Sequence, residues 1–161
     1  MSSGHQILTI ACIVLFSVLV LNFYSSNTQK ILQMHSSKSI IVANGLAQSL
    51  IEEIQTKAFD EKTINKPVWN TASLTSTGIL GKDSGENLNT QFDDIDDYDG
   101  YTKSIDIDKV GEFEMSVDVF YVEQLNPDVP SSTQTYSKMV KVNISNESLS
   151  DTLHFQQVIS Y

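Results

Sequence analysis

Five aspartates, Asp93, Asp94, Asp96, Asp97 and Asp99, crowd one short stretch, and residues 83–99 around them hold seven acids and no base. Carboxylate oxygens at this density are what a hard divalent cation takes as donors, and calcium is the ion they would hold. The spacing is not that of an EF-hand: with Gly100 as the loop glycine, Asp97 and Asp99 fall on ligand positions, but Ile95 occupies the first. The other reading is a solvated acidic turn whose Phe92, Ile95 and Tyr98 pack inward. Glu52-Glu53 likewise reads as a solvated helix face, with a cap or an intersubunit contact as its alternative. His5, His35 and His154 share no ligand or triad spacing, and the single Cys12 lies inside an apolar run. No nucleophile–base pair is indicated and no catalysis is expected. No Gly-x-Gly occurs, so nucleotide cofactors have no fingerprint here. Asn143-Ile144-Ser145 and Asn146-Glu147-Ser148 match the glycosylation sequon, a short pattern that is common by chance.

The elements that carry these residues divide by composition. No Asp, Glu, Lys or Arg precedes Lys30, so all 20 acids and all 10 bases lie in residues 30–161. With 161 residues there is room for one modest domain plus an appendage. A net charge of -10 with no Arg excludes the basic surface that nucleic-acid binding needs.

Ile7 to Tyr24 is an uncharged run of 18 residues, near the roughly 20 that span hydrocarbon. Its first residues, MSSGHQ, lack the basic n-region of a signal peptide, and Phe23-Tyr24 follow the run rather than a small-x-small cleavage site, so it reads as an anchor. Lys30 and Lys38 after the run, with no base before it, tilt the positive-inside comparison toward a cytoplasmic C-terminus. From Thr28 to Phe59 the period is helical, and Ile40, Ala43, Ala47, Leu50/Ile51, Ile54 and Ala58 share a face. The simplest expectation is one helix from about Gly4 to Phe59. The alternative is two helices with a linker at Ser25–Asn27 or Ser36–Ser39, and Gly45 could kink either.

Residues 60–110 carry Pro67 and several glycines among Asn, Ser and Thr, and are expected to be a loop-rich acidic connection pinned by Trp69, Ile79-Leu80, Phe92 and Ile95. Period two appears from Tyr101 onward, predicting strands at 113–123, 136–144 and 153–161, with breaks at Asn126-Pro127-Asp128 and Pro130-Ser131. The fold class is α+β: a helical segment 1–59, the connection 60–110, and an antiparallel meander 111–161 that the 40–58 stripe covers.

This order of parts resembles the type IV pilin and pseudopilin superfamily. More locally, LAQSLIEEIQTKAFDE (Leu46–Glu61) and FDDIDDYDGY (Phe92–Tyr101) are similar to stretches of pilin-like bacterial membrane proteins. The resemblance implies a filament subunit, a homopolymer inserted with its N-terminus cytoplasmic and later exported to the cell surface. Its core would be the apolar residues Ile7, Leu8, Ile10, Ile13, Val14, Leu15, Phe16, Val18, Leu19 and Leu21. It also implies processing between Gly4 and His5, but His5 stands where an aromatic residue is usual and Thr9 where the family has Glu. The competing expectation is a single-pass anchored adaptor, or a minor pseudopilin of a secretion system, that never polymerises.

Overall fold

The computed structural model describes residues 3–86 and 88–161, and the chain divides into two compact units, Met1–Lys38 and Ser39–Tyr161. Helix α1 runs Ser3–Gln55, 53 residues, with no proline to interrupt it. Neither polar patch forms a linker. The Thr28 and Ser37 hydroxyls, beside the first patch and within the second, donate back to the Tyr24 and Gln33 carbonyls at 3.0 and 2.8 Å, as they do in a continuous helix. Gly45 introduces no break, and a Cβ there would meet open space.

The expected end at Phe59 is corrected to Gln55. Beyond Lys57 the backbone leaves the helix to pair with the acidic loop: Ala58 N–H donates to Asp93 O at 3.0 Å, and Ile95 N–H donates to Ala58 O at 2.9 Å. Those long-range bonds take both backbone groups of Ala58 in place of helical partners. The buried stripe is Ala43, Ala47, Leu50 and Ile54. Ile40 is largely exposed, and Gln48, Glu52 and Gln55 face solvent as the period requires.

The second unit contains a five-stranded antiparallel sheet, with β1 Thr102–Ile107, β2 Gly111–Glu123, β3 Asn126–Pro130, β4 Ser137–Asn146 and β5 Leu153–Ser160. The order is β1-β2-β4-β5, and β3 folds back on the end of β2. β2 alternates as expected, burying Phe113, Met115, Val117, Val119 and Tyr121. In β4, Val140, Val142 and Ile144 enter the same core as the helix stripe, while Tyr136, just before the strand, is only half-buried.

Two strands replace expected irregular chain. β1 lies within residues 60–110, so the sheet begins at Thr102 rather than at 111; a turn with Lys109 at φ 64 and Gly111 at φ 102 reverses it into β2. β3 holds the two prolines read as breakers, and its pairing to β2 is short and irregular, with a shift between Val122 and Glu123. Proline is tolerated there because an edge strand need not donate on its outer side.

The pins of the 60–101 segment differ in part from expectation. Phe92 and Ile95 are buried and Leu80 packs partly on the core, but Ile79 is exposed and Trp69 is 87% exposed. Val68 and Leu74 take the place expected of Trp69. Val68 is fixed by its N–H, which donates to the Tyr161 hydroxyl at 2.9 Å.

Candidate functional site

The apolar part of α1 is helical and uncovered. Its most apolar window has a mean hydropathy of 2.5 and none of it is buried. Ile7, Leu8, Ile10, Ile13, Val14, Leu15, Phe16, Val18, Leu19 and Leu21 are all exposed, from 49% at Val18 to 69% at Phe16. The helix is long and apolar enough to cross a membrane, by length and composition. The few hydroxyls in it are turned inward: Thr9 donates to His5 O at 3.0 Å and Gln6 O at 2.9 Å, and Ser17 donates to Ile13 O at 2.8 Å. These two hydroxyls are therefore satisfied by the helix itself, as residence in an apolar medium requires. Gly4 and His5 lie in the first turns of α1, and Cys12 is exposed along it.

The acidic loop is folded, not a solvated turn. Asp94, Asp96 and Asp97 are 2%, 3% and 4% exposed, whereas Asp93 is exposed and Asp99 half-buried. The five do not converge on one point, because Asp94, Asp96, Asp97 and Asp99 are committed separately. Asp97 Oδ2 accepts from the Asp93 and Asp94 N–H groups at 3.0 and 3.2 Å, and Asp94 Oδ1 accepts from Asp97 N–H at 3.1 Å. Asp99 Oδ1 accepts from Val119 N–H at 2.8 Å, which ties the loop to β2. The carboxyl oxygens that do approach one another, within 4.8 Å, belong to Asp93, Asp97 and Glu86. Glu86 was no part of the expected set, and Asp94, Asp96 and Asp99 fall outside this trio.

Beneath the loop lies a buried ionic centre. Lys138, second residue of β4, is fully buried, and its Nζ donates to Asp96 Oδ1 at 2.6 Å, Phe59 O at 2.8 Å and Asp60 Oδ2 at 3.0 Å. The Phe59 and Tyr121 rings flank the ammonium at 4.5 and 4.8 Å from their centroids. Asp60 caps the 3-10 turn Glu61–Thr63, and its carboxylate also accepts from Lys62 N–H, from Thr75 N–H and Oγ1, and from the Tyr121 hydroxyl. Asp96 opens the 3-10 turn Asp96–Tyr98 and keeps Oδ2 buried without a partner among the described residues.

These environments drive the carboxyls apart. Burial alone would raise Asp60, but Lys138 and the donors around it outweigh burial and hold the group below its usual range. At Asp96 burial dominates despite Lys138, lifting it to about 7. At Asp94 burial, reinforced by Asp96 and Asp97, lifts it to about 8. The Tyr121 phenol, buried beside Asp60, is pushed up.

No local pattern names this centre as a whole, although one signal for it is present in the sequence. Lys138 has the same strand parity as Val140, Val142 and Ile144, so period two places a lysine on the core face. Of Glu52-Glu53, Glu52 is exposed and pairs with Gln48 at 2.9 Å, while Glu53 accepts from the Tyr98 hydroxyl. His154 Nδ1 lies 2.7 Å from Asn143 Oδ1 on the outer face of the sheet. Comparison with protein-family models, with curated proteins and with solved structures finds no match to this chain.

Proposed function

We propose that this chain is a structural subunit of a type IV pilus-like extracellular filament, held in the inner membrane by its N-terminal helix before assembly. The observation that carries the reading is the apolar stretch of α1, exposed along its length and with the Thr9 and Ser17 hydroxyls satisfied internally. Side chains such as Ile13, Phe16 and Leu19 stay out of water only in lipid or against other apolar helices, and identical copies supply the latter. A helix preceding an antiparallel sheet, with Ala43–Ile54 packed on it, supports the same reading. Thr9 in place of the family's Glu means that cohesion in such a filament comes from apolar packing without a buried charge pair.

Electron microscopy of material sheared from cells, with mass spectrometry of the N-terminal peptide, tests this. Regular filaments containing the chain are expected, and the peptide shows whether the Gly4–His5 bond is cut. A chain that stays in the detergent-soluble membrane fraction as a monomer or small complex overturns the filament reading in favour of a single-pass anchored adaptor.

A further inference from the structure

We propose that the buried centre is a site of covalent self-modification: the Lys138 Nζ condenses with the Asp96 carboxyl to form an intramolecular isopeptide bond, with Asp60 relaying a proton. Nucleophile and electrophile are already in contact, with Nζ 2.6 Å from Asp96 Oδ1, both side chains buried and neither free to leave. A nitrogen hydrogen-bonded to a carboxyl oxygen is near the ~3–3.5 Å separation from which attack on the carbon begins. The two carboxylates that touch Nζ are unequal. Asp60 is ringed by donors, Lys62 and Thr75 N–H, Thr75 Oγ1 and Tyr121 OH, so it is held in place as an anion that takes a proton without moving. Among the described residues the Asp96 carboxyl has Lys138 as its only partner, and its Oδ2 has none. That orphan oxygen is the one poised to accept a proton and depart.

The balance is simple. The Lys138 ammonium gives one proton to Asp96 across their contact, which leaves a neutral amine beside the Asp60 carboxylate. The neutral amine attacks Asp96 Cγ, forming the C–N bond. A second Nζ proton travels by Asp60 to the departing oxygen, the C–O bond breaks, and water leaves. One hydrogen stays on the amide nitrogen, opposite charges cancel, Asp60 ends as it began, and nothing is oxidised or reduced. Condensation runs uphill between free solutes in water, but fixed neighbours reach effective molarities of about 10⁵–10⁸ M, which reverses that preference. The walls, Phe59 and Tyr121, exclude the solvent that would hydrolyse an intermediate. The product replaces a buried ion pair with a neutral amide and fastens the acidic loop to β4.

The full chain, extracted in detergent and digested with trypsin after unfolding, gives the readout. The expected result is peptide Asp83–Lys103 joined to Val110–Lys141, uncut at Lys138 and lighter by one water than the two together. Lys138→Arg gives Asp83–Lys103 unjoined, and the second peptide is cut at position 138. Asp96→Asn joins with loss of ammonia instead of water, which identifies the electrophile. Asp60→Asn, scored only on the protease-resistant folded fraction, slows joining by at least ~100-fold. Separate peptides ending at Lys138 from folded wild-type chain overturn the proposal, as does loss of water from the Asp96→Asn chain. An unchanged joining rate in Asp60→Asn overturns the relay.

Discussion

The Tyr98 hydroxyl donates to Glu53 Oε1 at 2.8 Å, joining the acidic loop to the last turn of α1 across 45 residues of sequence. Tyr98 is fully buried, edge-on to Phe92 and Tyr101 at 5.0 and 5.8 Å, and burial together with Glu53 pushes its phenol up. Tyr98→Phe keeps those ring contacts and removes the bond to a half-buried carboxylate, so a loss of about 1 kcal/mol is expected in urea denaturation. An unchanged midpoint would mean that this bond adds nothing to stability.

Lys138→Met leaves Asp60 and Asp96 facing each other without a cation. Relative to the chain before the Lys138–Asp96 bond forms, removing one member of the buried pair costs about 3–5 kcal/mol, and Met fills most of the volume, so that loss is electrostatic rather than a cavity. Denaturant melts should show the deficit shrinking at mildly acidic pH, where Asp96 takes up a proton.

The carboxyls give opposite slopes with pH. Asp94 has a raised folded value, about 8. Its contribution is complete below the unfolded value near 4 and is lost as pH rises toward 8. Asp60 is lowered, so its contribution is present above about 4 and lost as pH falls further. Thermal melts should therefore peak between about pH 4 and 6 and fall toward pH 9, and Asp94→Asn should flatten the alkaline fall. A melting temperature that rises from pH 6 to 9 contradicts this assignment.

Gly100 sits at φ +73, with its N–H donating to Val117 O at 3.0 Å, where the acidic loop turns into β1. Space is available for a Cβ, so Gly100→Ala should cost only the left-handed backbone penalty, about 1 kcal/mol. The bulkier, β-branched Gly100→Val should cost more.

Val14→Lys or Val18→Lys puts a charge into the exposed apolar stretch, at about 3 kcal/mol per residue in an apolar surrounding. Filaments should be lost from sheared fractions, while the head, Ser39–Tyr161, keeps its protease resistance. Normal filaments from either variant would refute assembly by apolar packing.

Much of this architecture is legible in the sequence because it follows from period. The helical stripe and the alternation of β2 each need only local spacing, and both are observed. What escaped is long-range. The helix ends at Gln55 because Ala58 bonds to Asp93 and Ile95, partners that no local pattern names. Trp69 is hydrophobic by type yet lies outside, because Val68 beside it occupies the inward position. The acidic run looked solvated by composition, while the cation that draws Asp96 inward sits in β4. Lys138 could have been noticed as a charge on an apolar parity, but its two acidic partners could not.

Lys138 lies 78 residues after Asp60 and 42 after Asp96. On a nascent chain, which emerges N-terminus first, the loop's aspartates and the capping turn at Asp60 exist well before their cation does. The head cannot complete its interior until β4 has been made, a delay set by sequence separation rather than by size. The apolar helix, by contrast, needs no distant partner. Anchoring in a membrane would come first and closure of the head last.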